Sequence, residues 1–114
     1  MCTAVAMAKQ ETEKNNSITE DELDVMWLIH NDPKMTQREM ANSLGLSLGK
    51  VNYCLNALVK VGFIKLGNFK KSKTKIGYLY LLTPRGIKAK LEVTQKFLKN
   101  KQLEYDKLYN YLNE

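Results

Sequence analysis

The chain has 114 residues, of which 44% are hydrophobic and 26% are charged, with a net charge of +6 and two cysteines. This length suits a single domain, the hydrophobic fraction argues against a disordered chain, and no apolar run approaches the length of a membrane span. Two cysteines do not make a disulfide framework, so we expect a protein of the reducing cytoplasm.

The charge is distributed unevenly along the chain. Residues 1–46 hold four Lys/Arg and eight Asp/Glu, residues 47–90 hold ten Lys/Arg and no acid, and residues 91–114 hold four of each, so −4, +10 and 0 sum to +6. A solvated surface normally mixes both signs. Charge of one sign on one part of a fold therefore indicates a polyanionic partner, and a merely basic surface is the alternative.

The first sixteen residues, MCTAVAMAKQETEKNN, have a short apolar start with no basic region before it. We expect a floppy tail here and not a signal peptide. The stretch SITEDELDVMWLIHNDP then predicts a helix, because Ser17 and Thr19 each have a glutamate three positions on, which is the capping-box spacing. Its predicted inward face consists of Leu23, Met26, Trp27 and, at the edge, His30.

A second helix is predicted in MTQREMANSLGL, with Thr36 as its cap and Glu39 three residues later. Gly45 supplies the left-handed conformation for a tight exit. The predicted inward face consists of Met40, Ala41 and Leu44.

A third helix is predicted in SLGKVNYCLNALVKVGF, capped by Ser47 and ended by Gly62. Its inward face recurs at three- and four-residue steps and consists of Leu48, Val51, Leu55 and Leu58. The opposite face offers hydrogen-bonding groups and one aromatic ring but no carboxylate, and it consists of Gly49, Lys50, Asn52, Tyr53, Asn56 and Lys60. Two short helices joined by a glycine turn in this way are typical of a helix-turn-helix.

A β-hairpin is predicted next, with FIKLGN as one strand, FKKSKTK as the turn and IGYLYLLT as the returning strand. Both sides of the returning strand are apolar, so either side fits the core. A hairpin that directly follows a helix-turn-helix makes a winged helix. Its wing carries five lysines and no acid: Lys65, Lys70, Lys71, Lys73 and Lys75.

A long C-terminal helix is predicted from Thr83-Pro84 to Asn113, with Thr as the cap and Pro at the first position. Residues on one side repeat with heptad-like spacing, in two rows, Leu91, Leu98, Tyr105 and Leu112, and Ile87, Thr94, Lys101 and Leu108. A projecting apolar seam is costly to leave in water, so we expect dimerisation; the alternative is a helix folded back on its own domain. The fold class is thus mainly α with a small β-hairpin. It comprises a tail (1–16), a winged helix-turn-helix (17–83) and a dimerisation helix (84–114).

The runs SLGKVNYCL and YLYLLTPRGI carry a family resemblance that covers roughly residues 20–112. The chain resembles MarR-type winged-helix transcriptional regulators, and in particular the small bacterial branch called EPS-associated, named for exopolysaccharide. The resemblance implies a bacterial, sequence-specific homodimer that binds double-stranded DNA at an inverted repeat near exopolysaccharide genes. Larger MarR members have additional terminal helices that build a ligand pocket, and this chain departs from them, so a small-molecule effector is doubtful.

In such a protein the third helix enters the major groove. We expect Ser47 to contact a phosphate, Gly49 to allow close approach, and Lys50 to reach a guanine edge or a phosphate. Asn52, Tyr53 and Asn56 are candidates for base edges, although Asn52 or Tyr53 alternatively bonds across the helix-turn-helix. Gln37 and Arg38 are expected to clamp phosphates, and Lys60 and the wing lysines to add sequence-independent affinity.

Enzyme chemistry finds no support in the sequence, because there is one histidine, no Cys/His metal spacing and no phosphate-binding glycine loop. We therefore expect no cofactor and no metal. Cys54 beside the inward face of the third helix is interpreted as a packing residue, with a redox-sensing thiol as the alternative. The rival function is a winged-helix module that binds another protein and not DNA.

Overall fold

The computed structural model describes residues 18–70 and 76–113 and shows four helices and a two-stranded antiparallel hairpin in this part of the chain. The elements are α1 (Glu20–Asn31), α2 (Gln37–Leu44), α3 (Leu48–Lys60), β1 (Ile64–Lys70), β2 (Ile76–Leu82) and α4 (Pro84–Leu112). The predicted fold class is confirmed. The predicted tail 1–16 lies outside the described residues, as does most of the predicted wing tip with Lys71, Lys73 and Lys75.

The helices begin at the caps that local sequence rules predict. The Thr19 hydroxyl oxygen accepts from the Glu22 backbone N–H at 3.1 Å, and Glu22 Oε1 accepts from the Thr19 N–H at 2.9 Å. Thr36 and Glu39 form the same reciprocal pair at 3.1 and 3.2 Å. Each box satisfies two backbone donors that a helix start would otherwise leave without a partner, which explains why both helices begin sharply.

The core gathers around α1, which packs against α2, α3, α4 and β2. Contact on several sides requires a wide apolar stripe, so the buried residues of α1 are Leu23, Val25, Met26 and Ile29. The predicted face is confirmed at Leu23 and Met26, and Trp27 is partly buried and packs against the core. The prediction was wrong at His30, which is exposed. In α3 the prediction was wrong at Leu48, which is 45% exposed because the inward face begins one turn later at Val51.

The hairpin pairs Ile64 with Leu82 at its base and Lys70 with Ile76 at its far end. β1 is therefore longer than predicted and includes two residues that the sequence assigned to the turn. The side of β2 that faces the core carries Tyr80, which is 9% exposed, and the partly buried Leu82. The Tyr80 backbone N–H also donates to the Pro33 carbonyl at 3.0 Å, which ties β2 to the turn between α1 and α2.

The junction between the hairpin and α4 is unusually close. The Thr83 hydroxyl donates to the Gly62 carbonyl and accepts from the Gly86 N–H at 3.0 Å, while the Thr83 N–H donates to the Phe63 carbonyl at 3.0 Å. Gly62 has φ of 81°, a left-handed conformation that favours glycine. A Cβ atom at Gly86 would overlap the Phe63 carbonyl oxygen, so only glycine fits at this point of α4.

The long helix α4 has two parts with different surroundings. Its first part packs Val93, Phe97 and Ala89 against the core, whereas every residue from Leu98 to Asn113 is exposed. The 29 residues of α4 extend about 43 Å at ~1.5 Å per residue. The distal part therefore projects from the compact winged helix, and the molecule measures 65 × 31 × 25 Å.

Lys90 is a charged residue buried between α1 and α4, with only 2% of its surface exposed. Its Nζ lies 3.7 Å from the centroid of the Trp27 ring and 3.4 Å from His30 Nδ1. Burial lowers the pKa of the Lys90 ammonium below its usual 10.5. The folded state therefore binds fewer protons than the unfolded state between the lowered pKa and 10.5, so the contribution of this group to stability rises with pH in that window.

Replacing Lys90 with methionine removes the free-energy cost of burying the Lys90 charge. We expect the difference in unfolding free energy between Lys90→Met and the native protein to be most favourable to the variant near neutral pH. The difference should shrink as pH rises toward 10.5, as measured by urea titration at each pH. Lys88→Met, at an exposed position two residues earlier, is the control and should show no such trend. A constant difference for Lys90→Met would contradict the assignment of a costly buried charge.

Candidate nucleic-acid interface

The outer face of α3 presents the residues that the sequence analysis selected. Its members are exposed and include no carboxylate: Gly49, Lys50, Asn52, Tyr53, Asn56 and Lys60. Ser47 caps the helix, since its hydroxyl oxygen accepts from the Lys50 N–H at 3.0 Å. Tyr53 is 65% exposed, and the Lys50 ammonium lies 5.3 Å from its ring centroid. An exposed aromatic ring on a solvated helix is available for contact with a partner.

A chain of hydrogen bonds runs from this face into the hairpin. Asn56 Nδ2 donates to Asn52 Oδ1 at 3.1 Å, and Asn52 Nδ2 donates to Gln37 Oε1 at 3.3 Å. Gln37 Nε2 in turn donates to the Tyr80 hydroxyl oxygen at 3.0 Å. We call these four residues the amide chain; it connects α3, α2 and β2.

The amide chain shows which of the two expected roles Asn52 has in the protein, and it adds Tyr80 to the residues selected from the sequence. Asn52 makes the bond across the helix-turn-helix that the sequence left open, and Gln37 uses both ends of its amide within the protein. Arg38 is exposed at the start of α2, beside Gln37. Tyr80 was not selected from the sequence. Both sides of β2 are apolar, so the sequence does not indicate which tyrosine of this strand faces the helices.

The described part of the wing contributes Lys65, which is exposed on β1, while Lys70 stands at the last position of that strand. A cation that the sequence analysis did not select lies nearby. The Lys34 Nζ lies 4.6 Å from the Phe69 ring centroid. Both residues line a groove of about 330 Å³ between the start of α2 and the hairpin. Lys34 follows an acid and a proline in the sequence, so its position beside the wing had no local signal.

The block of ten cations between residues 47 and 90 does not form one surface. Lys90 is buried against Trp27, and the Arg85 guanidinium lies 5.5 Å from the Phe63 ring centroid at the start of α4. Lys50, Lys60 and Lys65 are exposed. The outer surface of α3 and β1 is therefore basic, as the charge asymmetry predicts. The count of ten cations in residues 47–90 is nevertheless larger than the number of cations on this surface.

The predicted dimerisation residues fall into two groups in the structure. The exposed group consists of Ile87, Leu91, Leu98, Tyr105, Leu108 and Leu112. The two polar positions instead contact α1 of the same chain. The Thr94 hydroxyl accepts from Trp27 Nε1 at 3.0 Å, and Lys101 Nζ lies 3.7 Å from Glu20 Oε1. The sequence analysis missed three further exposed residues, Leu103, Tyr109 and Tyr111, because they lie off the heptad rows.

No group of three or more potential metal ligands occurs in residues 18–70 and 76–113. Across the same ranges, no helix combines the length and apolar character needed to cross a bilayer. Cys54 is fully buried in the core, which confirms its interpretation as a packing residue. Burial raises the pKa of the Cys54 thiol, with a smaller contribution from Glu22, so the reactive thiolate is disfavoured.

Comparisons with known proteins agree with this geometry. A family model described as winged helix-turn-helix DNA-binding matches residues 21–65, from the start of α1 into β1. Curated proteins give no match. A MarR protein from Peptoclostridium difficile has a TM-score of 0.68 at 16% identity, covering 92% of this chain and 67% of its own.

The similar structures include complexes with DNA. Streptococcus pneumoniae FabT in complex with DNA has a TM-score of 0.58 at 22% identity, over 77% of this chain and 59% of its own. A MarR mutant from E. coli complexed with operator DNA has the same TM-score and identity, over 82% and 70%. The chain therefore has the winged helix-turn-helix fold. Its arrangement of hairpin and long C-terminal helix is the one seen in MarR-type structures.

Proposed function

We propose that this protein is a sequence-specific transcription regulator that binds double-stranded DNA as a homodimer. The observation that carries the proposal is the exposed, carboxylate-free face of α3 beside a lysine-bearing hairpin. That face combines cations, which attract phosphates, with amide groups, which read base edges. The family model and the DNA-bound relatives of the same fold support this function.

Each group has a separate role in the proposed complex. Helix α3 enters the major groove with its N-terminal half foremost, and Lys50 and Asn56 on its outer face contact base edges. No described residue donates a hydrogen bond to Asn56 Oδ1. This oxygen and one Nδ2 hydrogen are therefore available for the two hydrogen bonds that adenine can form. The Ser47 hydroxyl accepts one bond from the helix and donates its proton to a phosphate. Gly49 keeps this approach free of a side chain.

Phosphate contacts outside the groove come from the two sides of α3. Arg38 at the start of α2 and Lys60 at the end of α3 are both exposed cations. Lys65 adds a third on β1. Four more lysines follow it in the sequence, Lys70, Lys71, Lys73 and Lys75. Contacts of this kind position the protein without reading sequence, so they raise affinity for all duplexes alike.

The distal half of α4 supports dimerisation. Its exposed apolar and aromatic residues are too numerous for a helix that stays in water, and Tyr105 stacks on Tyr109 with ring centroids 6.1 Å apart. A second copy provides a matching surface by symmetry. Two α3 helices held about 34 Å apart then read an inverted repeat, one half-site each.

The runs SLGKVNYCL and YLYLLTPRGI extend the proposal to a cellular role. They support assignment to the exopolysaccharide-associated branch of MarR-type regulators, and so a target near genes for surface polysaccharides. Regulation of such genes places the protein in the bacterial cytoplasm.

The proposal is tested by selecting bound sequences from a pool of random duplexes. We expect Lys50→Ala and Asn56→Ala to change the selected motif at the base pairs these residues read, with a cost on the order of 1–3 kcal/mol each in discrimination. Lys65→Ala should weaken binding to every duplex alike and leave the motif unchanged. A motif altered by Lys65→Ala but not by Asn56→Ala would reverse these roles.

A further inference from the structure

We infer that the Tyr80 hydroxyl, on wing strand β2, sets the base preference of α3 by holding Asn56 in place through the amide chain. The inference rests on the proposed function and identifies a positioning residue for it. Tyr80 is only 9% exposed, so it presents little surface to DNA. Its effect on sequence preference passes through Gln37 and Asn52.

The first step is the rigidity of the Tyr80 end. The Tyr80 backbone is fixed on both sides, by its pairing with Leu66 in the hairpin and by its N–H bond to the Pro33 carbonyl at 3.0 Å. The Tyr80 side chain belongs to the buried core cluster, which also includes Ile64. The hydroxyl oxygen that accepts from Gln37 therefore sits at a fixed point between α2 and the hairpin.

The second step is transmission through the two middle residues. Gln37 and Asn52 each use their amide nitrogen to donate toward Tyr80 and their oxygen to accept from the side of α3. A side-chain amide that is bonded at both ends loses most of its rotamer freedom. Without the Tyr80 hydroxyl, the Gln37 amide is hydrogen-bonded only to Asn52, and the amide chain loses its fixed end.

The third step is the effect on readout. Asn56 is the exposed end of the chain, and a bidentate bond to adenine requires its amide plane to face the base edge. An amide held in that orientation before binding discriminates bases better than one that must be ordered on binding. The wing thus acts on specificity through a buried hydroxyl, in addition to its proposed phosphate contacts.

The test is a selection from random 30-base-pair duplexes with native protein, Tyr80→Phe and Tyr78→Phe. We expect Tyr80→Phe to reduce enrichment several-fold at the same base pairs that Asn56→Ala makes degenerate. Affinity for random duplex and its salt dependence should remain native, because no phosphate contact is removed. Tyr78→Phe is the matched control, since it removes an exposed hydroxyl two residues away on the same strand and should retain the native motif.

A second variant, Gln37→Met, interrupts the same chain without altering the hairpin. Its loss of discrimination should equal that of Tyr80→Phe, and the double variant should lose no more than either single variant, since both act in one chain. Additive losses, or native discrimination in Tyr80→Phe, would overturn the inference. A native protein that binds duplex but selects no motif would overturn both the inference and the sequence-specific function, whereas a motif unaffected by Tyr80→Phe would overturn the inference alone.

Discussion

Gly86→Ala is expected to destabilise the protein by at least about 3 kcal/mol, enough to unfold much of a domain of ordinary stability. The added methyl group would overlap the Phe63 carbonyl oxygen, and the neighbouring atoms of the Phe63 backbone are also close. That carbonyl accepts from the Thr83 N–H, so it cannot move without loss of the α4 cap region. The first turn of α4 must then shift away from the hairpin.

Gly49→Ala is the control for this prediction, because the space around a Cβ at Gly49 is open and the residue lies in helix α3. Alanine is favoured over glycine in a helix by up to about 1 kcal/mol, so this variant should be slightly more stable than the native protein. Urea denaturation followed by circular dichroism measures both variants. Similar midpoints for the two variants would contradict the close packing of α4 on Phe63.

Loss of the dimer is expected to reduce affinity for an inverted repeat by a factor on the order of 10²–10⁴, because the second half-site is then no longer bound by a tethered subunit. The variant Leu98→Lys/Leu108→Lys places two charges in the exposed apolar surface of α4. Both leucines are more than 60% exposed, at 67% and 61%, so the winged helix itself should keep its stability. Sedimentation velocity and fluorescence anisotropy with the selected duplex measure the two effects.

The matched control for dimerisation is Asn100→Lys/Asn110→Lys. Each asparagine is exposed and lies two residues after one of the leucines, on roughly the opposite side of the helix. The control adds the same charge and should remain a dimer with undiminished affinity. A leucine variant that sediments and binds like this control would contradict dimerisation through α4.

Local rules in the sequence predicted the helix starts and the glycine turn. Thr19 with Glu22 and Thr36 with Glu39 interact over three residues, and the left-handed conformation of Gly45 depends on the glycine itself and not on a contact with another element. These interactions need no tertiary contact, so spacing along the chain is sufficient to predict them. The outer face of α3 followed in the same way from helical periodicity.

The parts that sequence did not predict depend on contacts between distant elements. Tyr80 and Gln37 are 43 positions apart, and the apolar residues on both sides of β2 gave no indication of which side meets α2. Lys90 counted as surface charge because nothing in its neighbourhood indicates that Trp27 covers it. Thr94 and Lys101 interrupted the heptad pattern for a reason that only the packing of α1 on α4 reveals.

The most direct test of DNA binding through α3 and the wing is the affinity of the native protein for duplex DNA as a function of salt. Anisotropy titrations between about 50 and 200 mM salt should give a linear plot of log K against log salt. If a dimer neutralises roughly 6–10 phosphates, the slope should be about −5 to −9. The variant Lys60→Ala/Lys65→Ala, which removes two proposed phosphate contacts, should have a shallower slope. Weak binding with a flat salt dependence would contradict DNA recognition by this surface and would favour a module that binds another protein.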